Sequence, residues 1–88
     1  PILLRFLPSI QNWKEQVMSL KMKFTQDYSQ AVKVRLIVVA VQLPSGAIEI
    51  ITNHEDLENK YFYYLETYNE DMVMYKNPNI KIVDWMIL

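Results

Sequence analysis

Cysteine is absent from this 88-residue chain, which excludes a disulfide framework, thiolate catalysis, cysteine-ligated zinc and iron–sulfur clusters. A single glycine, Gly46, leaves no glycine-rich loop to cradle a phosphate. A single histidine, His54, argues against a histidine metal cage and against a Ser-His-Asp triad. No apolar run reaches the roughly 20 residues that a membrane-spanning helix needs, and no signal-peptide pattern is present. A soluble, cytoplasmic protein is therefore expected. What the chain does have is 51% hydrophobic and 22% charged residues, the balance of a globular domain rather than a disordered one. Its length predicts one domain over residues 1–88. Such a domain buries roughly 60–65% of the surface of its unfolded chain, with a stability of about 5–10 kcal/mol.

The net charge of −1 conceals an asymmetry. Residues 1–43 carry +4, from Arg5, Lys14, Lys21, Lys23, Lys33 and Arg35 against Glu15 and Asp27. Residues 44–88 carry −5, with the acids concentrated between Glu49 and Asp71. Separate basic and acidic faces, or head-to-tail self-pairing, would follow; unequal solvated helix faces are the plainer reading.

Ile2 to Leu7 is a short apolar run ended by Pro8 and predicts a strand. Ser9 is a candidate N-cap. Ile10, Trp13, Val17, Leu20, Phe24 and Tyr28 then recur at helical steps, predicting an amphipathic helix over residues 10–30. The alternation of Met18, Leu20, Met22 and Phe24 is a rival, strand-like reading that explains fewer residues. Val32 to Leu43 is rich in β-branched residues and apolar on both faces, a strand expected to be covered on both sides. Pro44-Ser45-Gly46 forms a turn, and Ala47 to Thr52 returns as the second strand of a hairpin. Thr52-Asn53-His54-Glu55 matches a capping box. A second helix follows, with Leu57, Tyr61, Tyr64, Leu65, Tyr68, Met72 and Tyr75 in one sector, stopped by Asn77-Pro78-Asn79. Ile80 to Leu88 is a last strand. The order is β-α-β-β-α-β, or α-β-β-α-β without the first run. The expected class is α+β, ferredoxin-like, with two helices on one face of a mainly antiparallel sheet.

Chemistry-bearing residues are sparse. Pro1 followed by a strand and a helix resembles the tautomerase superfamily, which implies a secondary amine acting as general base. That resemblance covers only Pro1 and the β-α-β order. Substrate binding would fall to Arg5 and Arg35, and the family's glycine-rich loops are missing. Loss of an initiator Met accounts for Pro1 more simply. His54 sits in a helix's first turn without a second nitrogen ligand. Glu66, Glu70 and Asp71 lack the loop geometry and turn glycine of a hard-cation site. No nucleophile–base pair, metal set or cofactor loop can be assembled, so neither an enzyme nor a cofactor is expected.

Interaction surfaces are the stronger expectation. Phe62 and Val73 lie on one flank of the second helix, and Tyr63 and Met74 on the other, outside its core stripe. Exposed aromatics and Met ringed by Glu55, Glu58, Glu66, Glu70 and Asp71 have the composition of an interface core. Two helices cover one side of the sheet, so Ile37, Val39 and Val41 are assigned to the uncovered side as a self-association surface. The partner set is a second copy of the chain and a host protein bound through the acidic, aromatic helix. Nucleic acid is an alternative, with Lys14, Lys21, Lys33 and Arg35 as candidate phosphate contacts, although the pI near 5.7 is low for that role. The cysteine-free chain with its Glu/Lys/Asn/Tyr-rich second helix (Asn53, Asn59, Tyr63-Tyr64, Tyr68-Asn69, Lys76-Asn77-Pro78-Asn79) resembles small accessory proteins of Gram-positive phages and prophages. The resemblance spans about half the chain and implies a binding or inhibitory role toward a host or defence protein, acidic DNA mimicry being one version.

Overall fold

In a computed structural model, the described residues are 18–88, and their elements run α-β-β-α-β. Helix α1 is Leu20–Gln30, strands β1 and β2 are Ile37–Gln42 and Ile48–Asn53, helix α2 is Leu57–Thr67, and β3 is Lys81–Ile87. The class is α+β with an antiparallel three-stranded sheet in the order β2-β1-β3. The ferredoxin-like order is not found. It would leave β1 at an edge, paired only with β2, whereas β1 is central and pairs with β3 as well. The strand predicted over residues 2–7, together with Pro1, Arg5, Ser9, Ile10, Trp13, Lys14 and Val17, lies outside the described residues.

Local chemistry explains the element boundaries. Helix α1 begins where Ser19 accepts the Met22 N–H on its hydroxyl at 3.1 Å. The strand-like reading of Met18 to Phe24 is overturned, because residues 20–24 are helical. Phe24 is fully buried, but Leu20, expected in the core stripe, is 40% exposed. The hairpin turns as expected at Pro44-Ser45-Gly46, where Gly46 has φ +89°, a value glycine reaches without steric cost. The capping box does not form. Thr52 and Asn53 remain in the β1–β2 ladder opposite Val38 and Ile37, and Asp56 is the residue that precedes α2.

The second helix is also shorter than predicted. It ends at Thr67 because Asn69 offers the chain a competing set of hydrogen bonds. The Asn69 Oδ1 accepts the N–H groups of Asp71 and Val73 at 2.9 and 3.0 Å. Residues 68–74 then fold back as a turn with a Tyr68–Met74 bridge, and Val73 bridges to Lys81. Met72 keeps its place in the core at φ +59°. Tyr75, predicted to lie in the core stripe, is 62% exposed.

Both helices lie on one face of the sheet. Phe24 of α1 and Tyr61, Tyr64, Tyr68 and Met72 of the α2 region form one cluster with Ile37, Val39, Val41 and Ile82. The Phe24 ring meets Tyr61 stacked and Trp85 edge-on, with centroids 5.8 and 5.5 Å apart. Tyr28 stacks on Tyr61 at 3.7 Å, closing the helix pair. Among the described residues, no helix is long and apolar enough to cross a membrane.

Candidate interaction surface

The assignment of sheet faces made from the sequence is reversed. Ile37, Val39 and Val41 are 0, 0 and 3% exposed, pointing into the helix layer rather than away from it. Alternation along a strand then puts Val38, Ala40 and Gln42 on the open side. The paired neighbours follow: Thr52, Ile50 and Ile48 on β2, and Met86, Asp84 and Lys81 on β3, share that open side. Leu36 and Leu88 extend it, joined by reciprocal backbone bonds of 3.1 and 3.0 Å. At the bulge between Ala40 and Val41, β3 carries the extra residue Val83, 45% exposed. Ile48, Ile50, Met86 and Leu88 are 51, 60, 48 and 58% exposed. This is a contiguous apolar face with one acid, Asp84, and one base, Lys81.

Strand β2 is the least covered element. Its first three residues are exposed, and only Ile51 and Asn53 lie partly or fully beneath α2. The Asn53 amide donates to the Ile37 carbonyl at 3.1 Å and to the Tyr64 hydroxyl at 2.9 Å, tying β2 to β1 and α2 at one end. Beside that tie is a cleft of about 320 Å³ lined by Ile51, Asn53, Asp56, Asn59, Lys60, Tyr63, Tyr64 and Tyr68. Burial pushes the Tyr68 phenol up to about 12, the nearby Tyr63 and Tyr64 adding to the effect. Burial raises Tyr64 as well, against the opposing influence of the Asn53 hydrogen bond. Both hydroxyls therefore stay protonated at neutral pH, and that of Tyr64 accepts from the Asn53 amide.

The remaining predicted site residues are dispersed. Phe62 and Tyr63 are 47 and 50% exposed on α2, as expected of an outward aromatic flank. Val73 and Met74 are not on that helix; both lie in the turn after it, partly buried, because the helix ends at Thr67. The Lys21 ammonium donates to the Leu65 carbonyl and lies 5.8 Å from the centre of the Tyr75 ring, which leaves it poorly placed for a phosphate. Lys33 and Arg35 are exposed in the connection between α1 and β1. Glu70 accepts the Ser19 hydroxyl at 2.7 Å. Among the described residues, no three His, Asp or Glu side chains come together as a metal-binding group.

The open-face residues Val38, Ile50 and Met86 escaped the sequence reading, although a signal existed. In β1 the odd set Ile37, Val39, Val41 is uniformly bulky, while the even set Val38, Ala40, Gln42 contains a small and a polar residue. Bulk belongs in the core. Comparison with known protein families, curated proteins and solved structures finds no match, so geometry rather than kinship must carry the functional reading.

Proposed function

We propose that this protein is a non-catalytic interaction protein that self-associates, with the open sheet face covered by the same face of a second copy. The observation that carries this reading is the apolar strip of Leu36, Val38, Ile48, Ile50, Met86 and Leu88 on the side that no helix covers among the described residues. Contiguous exposed apolar surface of this kind marks an interface. A second copy suits it because the face carries opposite charges, Lys81 and Asp84, on the same strand, so a two-fold arrangement can set each against its complement. Fully burying an aliphatic side chain is worth roughly 1.5–3 kcal/mol. Four half-exposed ones give roughly 3–6 kcal/mol per copy and twice that for a symmetric pair, comparable with the roughly 4–15 kcal/mol cost of association.

Within such an assembly, Phe62 and Tyr63 on α2, flanked by Glu58 and Glu66, remain outside as a surface for a partner protein. Sedimentation velocity at micromolar concentration tests the reading. Wild type should sediment above monomer mass, and Met86→Lys should yield a smaller species with an unchanged circular dichroism spectrum. A monomeric wild type would point instead to residues 1–17 of the same chain as the cover and would end this proposal.

A further inference from the structure

The outer edge of β2 is unpaired among the described residues. Leu43 donates to the Ala47 carbonyl at 2.8 Å, which fixes the alternation of the β1–β2 ladder. Residues 49, 51 and 53 turn their backbone groups toward β1. Ile48, Ile50 and Thr52 turn theirs outward, a template for another strand. Glu49 lies directly across from buried Val41 and so on the helix side of the sheet, yet it is exposed. On that same side, farther along β2, the cleft holds exposed Lys60 as its one cation beside Ile51 and Asn53, while the Asp56 carboxylate at its rim already accepts from the Asn59 amide at 2.7 Å.

Resting on the self-association proposed above, we infer that a second copy adds its β2 antiparallel to this edge, about a two-fold axis at Ile50, and delivers its Glu49 to the cleft. Register decides the geometry. Outward groups bond in both directions only when even-numbered residues face even-numbered ones. Setting Ile48 against the partner's Ile50 would oppose two Glu49 carboxylates, which is unfavourable. Setting Ile50 against the partner's Ile50 engages all the outward groups and places Ile48 across from the partner's Thr52. The partner's Glu49 then lies across from Ile51, on the helix side, at the cleft that carries Lys60 and the Tyr64 and Tyr68 rings. The axis repeats the contact, so each cleft receives a carboxylate from the other copy and two sheets join as one. This edge contact is separate from the face contact, because it uses the outward backbone groups of β2 and the helix side of the sheet.

Charge reversal tests it, because Glu49 and Lys60 are exposed and on the side away from the apolar face. Wild type, Glu49→Lys, Lys60→Glu and the double variant are compared by sedimentation velocity over a concentration series, with circular dichroism confirming the fold. Each single reversal should weaken association through the edge about tenfold or more, as opposed like charges do at an interface. The double variant, which restores the pair with its signs exchanged, should recover to within about threefold. If wild type self-associates and the single variants match it, the edge inference is wrong and the face reading stands. A double variant no better than the singles also overturns it. A monomeric wild type overturns both.

Discussion

The two faces of β1 differ by a one-residue offset and by little in composition. Ile37, Val39 and Val41 are sealed beneath Phe24, Tyr61 and Tyr64, whereas Val38 and Ala40 look out between Ile50 and Met86. Hydrophobicity alone does not distinguish these faces; side-chain volume and the neighbours on β2 and β3 do. The covered face is closed by rings in defined contact, Phe24 with Tyr61, Tyr64 and Trp85, whose indole donates to Asp27 at 2.8 Å. The open face has no such closure from the described residues. One apolar strand is thus sealed on one side and left open, among the described residues, on the other.

That contrast is broken most severely by Val39→Lys. A lysine there places an unpaired charge in the sealed core and should cost more than about 4 kcal/mol, leaving little or no folded protein by circular dichroism. Phe24→Ala comes next. Removing a fully buried ring that touches three other rings should cost about 3–5 kcal/mol in denaturant titration, since the surrounding side chains cannot collapse into the space. Unchanged unfolding would mean that α1 does not close the core.

Asn53→Ala tests the tie between β2 and the covered layer. It leaves the Ile37 carbonyl and the Tyr64 hydroxyl without their partner and should cost about 1–3 kcal/mol. The same layer sets an alkaline limit. Tyr64 and Tyr68 are raised above the ordinary phenol value of 10.0, Tyr68 to about 12, so between those values the folded state holds protons that the unfolded state has released. Their contribution is complete below pH 10 and is lost as pH rises toward 12. The thermal midpoint should therefore fall over that window, and Tyr68→Phe should shallow the fall.

Much of this arrangement was legible in the sequence. The hairpin was readable from Pro44-Ser45-Gly46 between β-branched runs, and Phe24, Tyr61, Tyr64, Tyr68 and Met72 were placed in the core by periodicity. Met72 is instructive because it reaches the core through a turn, not a helix. Tertiary packing kept the residue in place while the Asn69 side chain changed the backbone that delivers it. Helix caps were less readable. Thr52-x-x-Glu55 has the spacing of a capping box, but the β1–β2 ladder holds Thr52 as a strand residue. The face of β1 was misassigned because the strand's centre is apolar on both sides, and the cue that did exist, the small Ala40 and polar Gln42 in the even set, is one of bulk more than of alternation. Pairing with Ile50 and Met86, a long-range property, settles which side is which.

The residue beside Val39 offers the most direct test of an association surface on the open face. Val38→Lys places the same charge one position along the same strand, on the open face between Thr52 and Met86. Sedimentation velocity of this variant beside wild type, with thermal melts of both, is the decisive measurement. The expected result is a folded variant with a wild-type spectrum that forms a smaller assembly than wild type. A Val38→Lys protein that unfolds as Val39→Lys does, or one that keeps the wild-type mass at every concentration, would contradict the claim that this side of the sheet is the association surface.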